Sequence, residues 1–293
     1  MTKFYKAASC GWLLSCAILA SAAEPQNPAN SEASSRPDKS SYNLFNPTPS
    51  ALMREMNTDR PDKTESPYTV DAGHFQLEMD LVSYTHDYNG SERSSSYAIA
   101  PVNLKLGLLN DFDLQVILPT WNTVRTEELG RVERRSGFGD VMTRFKYNFW
   151  GNDSGKTAFG VMPFVKYPTS QDSLGNNAVE AGIILPVSVE LPLGFGLGAM
   201  SELDFNRNEA NHGRHVEIIH SVTVSREIIG NLEGYVEFFS LVNTEHGAGF
   251  IATFDAGLGY ALNKDWRLDT GVNIGLTRAA DDVNPFVGLS FRF

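Results

Sequence analysis

The stretch Phe75-Gln76-Leu77-Glu78-Met79-Asp80-Leu81 decides the fold that this sequence predicts. Apolar residues occupy every second position, and polar or acidic residues fill the positions between them. A period of two puts apolar side chains on one face of a β-strand and charged ones on the other. The same alternation recurs towards the C-terminus and predicts 12 antiparallel strands. They are centred on residues 75–81, 98–106, 112–118, 141–149, 158–167, 179–191, 195–205, 215–228, 232–242, 249–262, 266–277 and 284–293.

The composition excludes two other classes of protein. Helical membrane proteins need runs of about 18 or more apolar residues, and this 293-residue chain has no such run beyond its N-terminus. Its 35 acidic residues outnumber its 24 basic ones, which gives a net charge of −11. That balance leaves no basic surplus to neutralise phosphates, so nucleic acid is not an expected partner. Because no apolar run beyond the N-terminus is long enough for a spanning helix, any membrane-spanning part must consist of strands.

Residues 1–22 have the pattern of a secretory signal peptide. A basic start and an apolar stretch lead to the small residues Ala20-Ser21-Ala22 at a cleavage site. Cys10 and Cys16 are the only cysteines, so the exported chain would contain no disulfide. A lipoprotein signal ending at Cys16 is the alternative, but the apolar stretch continues past that cysteine. A cysteine-free exported chain must gain its stability from a large core or from a lipid-supported barrel.

The remaining chain divides into two predicted parts. Residues 23–71, rich in Pro, Asn and Ser, form a periplasmic linker and a candidate plug segment, and residues 72–293 form the barrel. The connections between the predicted strands alternate between long and short, and Asn122–Ser136 is one of the long ones. Transmembrane barrels alternate in this way, with long external loops and short periplasmic turns. An even number of strands places both chain ends on the periplasmic side.

A soluble β-sandwich or a lipocalin-like barrel would show similar alternation but would bury its apolar face inside. The polar faces of these strands combine glycines with charges of both signs, which favours a crowded polar lumen. Aromatic residues also gather near strand ends, as in the interfacial girdles of membrane barrels. These are Tyr84, Tyr88, Trp121, Tyr147, Phe149, Trp150, Tyr167, Tyr260, Trp266 and Phe286. We therefore predict an all-β fold, a single antiparallel transmembrane β-barrel of about 12 strands surrounded by outer-membrane lipid.

The C-terminal strand carries a separate signal. Val287, Leu289, Phe291 and Phe293 alternate with small or polar residues, and the chain stops at Phe293. This ending resembles the closing β-signal of bacterial outer-membrane proteins. The resemblance implies that Phe291 and Phe293 form an assembly signal, with the barrel-assembly machinery as partner and the outer membrane as location. The alternative is an ordinary terminal strand.

A longer motif precedes the first strand. Thr58-Asp59-Arg60-Pro61-Asp62-Lys63-Thr64-Glu65-Ser66-Pro67, continued to Glu78, resembles the N-terminal signature of a bacterial family of transporters assigned to the meta-pathway of phenol degradation. Supporting matches are Gly137-Phe138-Gly139-Asp140, Pro163–Thr169 and Asn176-Asn177. The resemblance implies an outer-membrane barrel that takes up aromatic or other hydrophobic small molecules. It implies no catalytic residues.

Strand parity places more acids than bases inside the barrel, and an acidic lumen favours cations if it conducts ions. One alternative is that these charges simply pair across neighbouring strands. Another is that the signature segment enters the barrel from the periplasm and places Arg60 and Lys63 against luminal carboxylates. Aromatic solutes would need luminal aromatic residues such as Tyr84, Phe164, Tyr235 or Phe239. The candidate lumen and plug residues are Arg60, Asp62, Lys63, Glu65, Glu78, Asp80, Asp140, Arg144, Lys146, Lys166, Glu180, Glu202, Glu237, Asp255 and Asp269.

Enzymatic and metal-binding functions find little support. The sequence contains no G-x-S-x-G, H-E-x-x-H or P-loop motif, and no cofactor is expected. An outer-membrane phospholipase would need a serine beside a histidine, but His220 and Ser221 point to opposite faces of one strand. His212 and His215 share a loop with two glutamates, yet their spacing matches no standard metal site.

We therefore predict a passive outer-membrane channel for small molecules, not an enzyme. The alternative is a non-conducting barrel with a structural or surface-interaction role. In that case partners would bind the charged loop Asn122–Ser136. Its charged residues are Arg125, Glu127, Glu128, Arg131, Glu133, Arg134 and Arg135.

Overall fold

The structure is a computed structural model that describes residues 38–208 and 213–293. The predicted signal peptide and the first part of the predicted linker lie outside these residues. The described part of the chain contains no helix that is long and apolar enough to cross a membrane.

Fifteen β-strands follow one another along the chain. They are β1 (Phe75–Tyr88), β2 (Glu92–Ile99), β3 (Val102–Leu109), β4 (Phe112–Leu118), β5 (Trp121–Glu128), β6 (Arg131–Gly137), β7 (Met142–Trp150), β8 (Thr157–Lys166), β9 (Glu180–Leu191), β10 (Phe195–Arg207), β11 (Arg214–Ile229), β12 (Leu232–Asn243), β13 (Phe250–Asn263), β14 (Trp266–Gly275) and β15 (Val283–Arg292). A short 3-10 turn, Pro192–Gly194, joins β9 to β10.

The sheet closes on itself because β15 pairs antiparallel with β1. Three barrel strands are each built from two of these elements, namely β2 with β3, β4 with β5, and β6 with β7. The first two interruptions contain Pro101 and Pro119, which lack the N–H that a ladder needs. The 15 elements therefore make 12 barrel strands, which confirms the predicted 12-stranded antiparallel barrel.

The wall is apolar outside and polar inside. Lys146, Glu78 and Asp255 are fully buried, whereas Phe145 and Phe254 are more than two-fifths exposed on the outer face. A soluble barrel would show the opposite distribution, so the membrane-spanning alternative is the correct one. The interior apolar cluster is small and lies on β8 to β11. It consists of Met162, Phe164, Ile184, Met200 and Ile219.

The two residues of the predicted assembly signal lie in an aromatic cluster at the periplasmic end of the outer wall. Phe293 stacks on Phe75, with ring centroids 5.6 Å apart. Phe291 stacks on Trp266 at 4.6 Å. These pairs match the aromatic girdle of a membrane barrel. Recognition by the barrel-assembly machinery stays a prediction.

A β-bulge in β1 overturns one expectation about the lumen. The pairing of β1 with β15 shifts between Asp80 and Val82, so the residues that follow reverse their facing. Tyr84, expected as a luminal aromatic residue, faces outward instead and packs on Tyr97 with ring centroids 4.8 Å apart. Parity counted from Phe75 cannot include an inserted residue, and for that reason the prediction was wrong.

The segment expected to be the external loop Asn122–Ser136 is a β-hairpin. Strands β5 and β6 pair along their whole length and are joined by Leu129-Gly130, both in the left-handed region of backbone space. Beyond the bilayer both faces of a strand meet water, so no apolar face marks the strand in the sequence. Together β2, β5 and β6 extend the barrel wall above the membrane, and within the described residues β6 pairs with β5 alone.

Candidate functional site: the barrel lumen

Residues 57–72, called the inner segment below, lie inside the barrel. Contacts with strands on different sides of the lumen establish this position. The amide of Gln76 on β1 donates to the carbonyl of Asn57 at 2.7 Å, and the hydroxyl of Tyr68 lies 3.4 Å from that of Ser188 on β9. Pro61 and Pro67 keep parts of the segment extended.

Asp59 is the most densely contacted residue of the inner segment. Its carboxylate lies 2.5 Å from Lys105 Nζ and 2.7 Å from Lys146 Nζ. Glu78 also contacts Lys105 and accepts a hydrogen bond from the Asp59 N–H at 3.1 Å. Burial opposes ionisation of Asp59, but Lys105, Lys146 and Arg144 hold its pKa well below the usual range. Asp59 belongs to the quoted signature but was not among the candidate residues.

Glu65 forms a second ion pair with the same wall. Arg144 on β7 donates to its two carboxylate oxygens at 2.5 and 3.1 Å, and donates to Gln115 at 2.6 Å as well. Such two-pronged pairs fix geometry as well as charge. Burial raises the pKa of Glu65 despite the attraction of Arg144. The inner segment therefore brings two acids to the basic wall formed by β3, β4 and β7.

The opposite wall is acidic and receives the bases of the inner segment. Arg60 lies 2.7 Å from Asp80 on β1 and 2.7 Å from Asp269 on β14. Lys63 Nζ lies 3.1 Å from Asp255 on β13. Asp80, Asp269 and Asp255 are thus the luminal carboxylates that lie against the two bases of the plug hypothesis, Arg60 and Lys63.

Glu237 on β12 is held by main-chain donors rather than by a cation. The N–H groups of Lys63 and Thr64 each donate to it at 2.8 Å. The hydroxyl of Thr64 adds a third hydrogen bond at 2.5 Å. The carboxyl of Asp62 lies close by, and burial, followed by the charge of Glu237, raises the pKa of Asp62 well above its usual range.

The periplasmic mouth carries a further ion network that fixes both ends of the inner segment. The carboxylate of Asp71 accepts from the N–H of Arg54 at 2.9 Å and lies 3.3 Å from Lys39 Nζ. Arg292 on β15 donates to the carbonyl of Arg54 at 2.9 Å. The chain is thus anchored to the barrel rim before it enters the lumen, at Arg54, and where it leaves the lumen, at Asp71.

The other candidate residues lie on the external half. Lys166 contacts Glu180, which also accepts from Asn176 at 2.8 Å. Glu202 faces inward on β10, two residues from Asp204. Asp140 differs from the prediction because it lies in the interruption before β7 and accepts the N–H of Ser170 at 2.9 Å. Strand parity does not apply where the chain leaves the sheet.

A chamber of about 150 Å³ lies between the inner segment and the wall of β9 to β14. Asp62 and Tyr68 border it on one side, and Tyr235 borders it on the other. Gly196 and Gly198 leave the β10 part of that wall without side chains. Sequence parity alone could not locate this chamber, because it depends on which wall the inner segment follows.

Two histidines lie where a metal site or a catalytic pair would need them. Among the described residues no three metal-ligating side chains form a cluster, and His212 lies outside those residues. His215 Nδ1 lies 3.0 Å from the amide oxygen of Asn208. On the lipid-facing side, Nδ1 of His220 lies 3.0 Å from the hydroxyl of Ser201 on the neighbouring strand, whereas Ser221 faces the lumen.

Comparison with solved structures reveals related folds. An outer membrane channel from Pseudomonas putida F1 has a TM-score of 0.60 and 11% identity, over 81% of this chain and 100% of that chain. The NanC porin has a TM-score of 0.49 and 9% identity, over 73% of this chain and 98% of that one. The CymD monoaromatic hydrocarbon channel has a TM-score of 0.42 and 9% identity, over 75% and 87%. At 11% identity, the likeness to the Pseudomonas channel is one of fold.

A sequence comparison with curated proteins finds no significant match. The family described as "Putative MetA-pathway of phenol degradation" matches residues 58–293, from the first residue of the quoted signature to the last residue of the barrel. This match spans more than three-quarters of the chain. Together with the closed 12-stranded barrel, it leads to one conclusion: the chain is an outer-membrane β-barrel that belongs to the phenol-degradation family.

Proposed function

We propose that the protein is a passive outer-membrane channel for small aromatic molecules, and that they pass through the chamber beside the inner segment. The observation that carries the proposal is the chamber that stays open beside the segment although ion pairs tie the segment to both walls. Ion pairs through Asp59 and Glu65 hold the segment to β3 and β7, and the chamber lies along β9 to β14. The family description, which refers to phenol degradation, supports the solute class.

The size of the chamber favours one aromatic ring at a time. A cavity of about 150 Å³ is large enough for one benzene molecule. Glycines at Gly196 and Gly198 offer a flat surface to a ring, and Tyr235 adds an aromatic face. The hydroxyl of a phenol finds hydrogen-bond partners in Thr223 and Ser188. Most ligand sites combine an apolar surface with a few polar groups in this way.

Charge makes the same route unfavourable for anions. Asp204 on the external half forms no ion pair within the described residues, and Glu217 lies directly opposite it on β11. Rings of carboxylates repel anions from a pore. Neutral phenols are therefore admitted more readily than benzoates of the same size.

The alternative function is hydrolysis by Ser201 and His220, which lie close together on the outer wall. Both residues sit in the middle of paired strands, where the N–H groups are committed to the ladder and none is free to stabilise an oxyanion. Among the described residues no carboxylate holds the second nitrogen of His220. Both points support a barrel without hydrolase activity.

Liposome swelling tests the channel proposal. Vesicles containing the purified full chain are exposed to phenol, benzoate or glucose in iso-osmotic solutions. We expect faster entry of phenol than of benzoate or glucose relative to vesicles without protein. Equal entry of all three would indicate a general pore, and no entry would favour the non-conducting barrel.

A further inference from the structure

The part of the wall above the bilayer carries arginine side chains on its outward face. The register of β1, β2, β5 and β6 aligns four residues in one row, called the arginine row below. These are His86, Ser95, Arg125 and Arg134. Its side chains share the outward face with Tyr97 and Trp121, which lie on the same strands and are exposed on the outer wall.

The height of this row relative to the bilayer follows from the aromatic residues beneath it. Tyr84 and Tyr97 form the adjacent row, and Trp121 lies one step lower. Aromatic girdles mark the boundary between acyl chains and headgroups. Each row is two residues, or about 7 Å along a strand, from the next. The arginine row therefore stands at the level of the headgroups of the external leaflet.

The two faces of this external wall differ in charge. On β2, β5 and β6 the outward face carries three arginines and one glutamate, whereas the inward face carries two arginines and three glutamates. The outward residues are Arg93, Arg125, Arg134 and Glu127, and the inward ones are Arg131, Arg135, Glu92, Glu128 and Glu133. A basic outer face on a chain of net charge −11 indicates a specific anionic neighbour.

The pairing within each face sharpens this difference. On the inward face, Arg135 lies 2.6 Å from Glu133. On the outward face, Arg125 pairs with Glu127 at 2.7 Å, but Arg93 and Arg134 are exposed and form no ion pair within the part of the chain that the structure describes. Arg134 lies directly opposite Arg125, a like-charged arrangement that destabilises a sheet unless an anion lies between them.

We propose that the arginine row, together with Arg93, binds the phosphate groups of the glycolipid headgroups in the external leaflet. Guanidinium groups bind phosphate through two parallel hydrogen bonds, and basic clusters beside a membrane recognise phosphorylated headgroups. This binding does not depend on whether the barrel conducts.

The inward face supplies a matched control, because two arginines can be removed from either face of the same hairpin. The full chain in zwitterionic detergent micelles is titrated against a fluorescent bisphosphorylated lipid A glycolipid, and binding is followed by anisotropy. The test variant is R93Q/R134Q, the control is R131Q/R135Q, and the single variants R93Q and R134Q show whether the loss is graded. A gel shift on heating verifies that each variant remains folded.

We expect about a 30-fold loss of affinity for R93Q/R134Q, because each arginine near a membrane surface contributes about fivefold. The control variant should lose less than about threefold in affinity, because its two arginines lie on the inward face and salt screens their charge from the headgroups. Equal losses for both variants, or no loss for either, would overturn the proposal. Competition by inorganic phosphate at the same concentration as the glycolipid would also overturn it, since it would assign the site to free phosphate.

Discussion

Replacing Asp59 with asparagine removes the charge that neutralises two buried lysines in the lumen. Lys105 and Lys146 are 3% and 1% exposed, and Asp59 is 3% exposed, so water cannot screen the change. Lys105 keeps Glu78 as a partner. Lys146 has no other ion pair within the described residues. The substitution therefore leaves one orphaned buried charge rather than two.

The expected loss of stability follows from the number of orphaned buried charges. Removing one partner of a buried ion pair costs about 3–5 kcal/mol. Because Glu78 continues to neutralise Lys105, we expect the low end, about 3 kcal/mol, in the free energy of unfolding. Adding Lys146→Met removes the orphaned charge, so the double variant D59N/K146M should recover part of that loss.

Urea unfolding of the protein refolded into detergent micelles measures these differences. Asp38→Asn is the control, because Asp38 precedes the same segment but is exposed, and asparagine can keep its hydrogen bond to the Ser40 N–H. We expect D38N to match the wild type. If D59N were as stable as D38N, or if K146M added a second full loss instead of a recovery, the account of the inner segment would be wrong.

Three further predictions follow from the same geometry. Asp62→Asn should stabilise the barrel at pH 7 but not at pH 3, because the raised pKa of Asp62 makes its ionisation costly only as pH rises above its unfolded value of about 3.9; a stability difference that does not vary with pH would contradict this. Deleting residues 42–70 should raise single-channel conductance and lower the urea midpoint, and no change in either would show that the segment does not fill the lumen. A fluorophosphonate probe should leave Ser201 unlabelled, whereas labelling abolished by S201A would demonstrate a hydrolase.

Much of the fold could be predicted because a barrel wall with one apolar and one polar face requires apolar and polar residues to alternate along each strand. Phe75, Leu77 and Met79 must face lipid if Gln76 and Glu78 face the lumen, and a repeat of this pattern leads to a closed barrel. The pattern fails where the geometry departs from a regular strand. The bulge after Asp80 reverses the facing of Tyr84, and Asp140 lies in the interruption before β7, where strand parity does not apply.

The lumen was harder to predict because its contacts join residues that are far apart in sequence. Arg60 and Asp269 are 209 positions apart, and Lys63 and Glu237 are 174 apart. Parity placed both carboxylates inside, but it could not show that the segment also brings Asp59 to Lys146. The external hairpin was missed for another reason, since a strand wetted on both faces has no apolar alternation to detect.

The rate of phenol entry into vesicles bearing Gly196→Leu tests the central claim most directly. A leucine at this position projects into the chamber of about 150 Å³, while Ala199→Leu on the same strand faces lipid and serves as the control. We expect G196L to reduce phenol entry to the level of protein-free vesicles, while A199L retains the wild-type rate. Wild-type entry through G196L would mean that solutes do not pass beside the inner segment, and would contradict the proposed route.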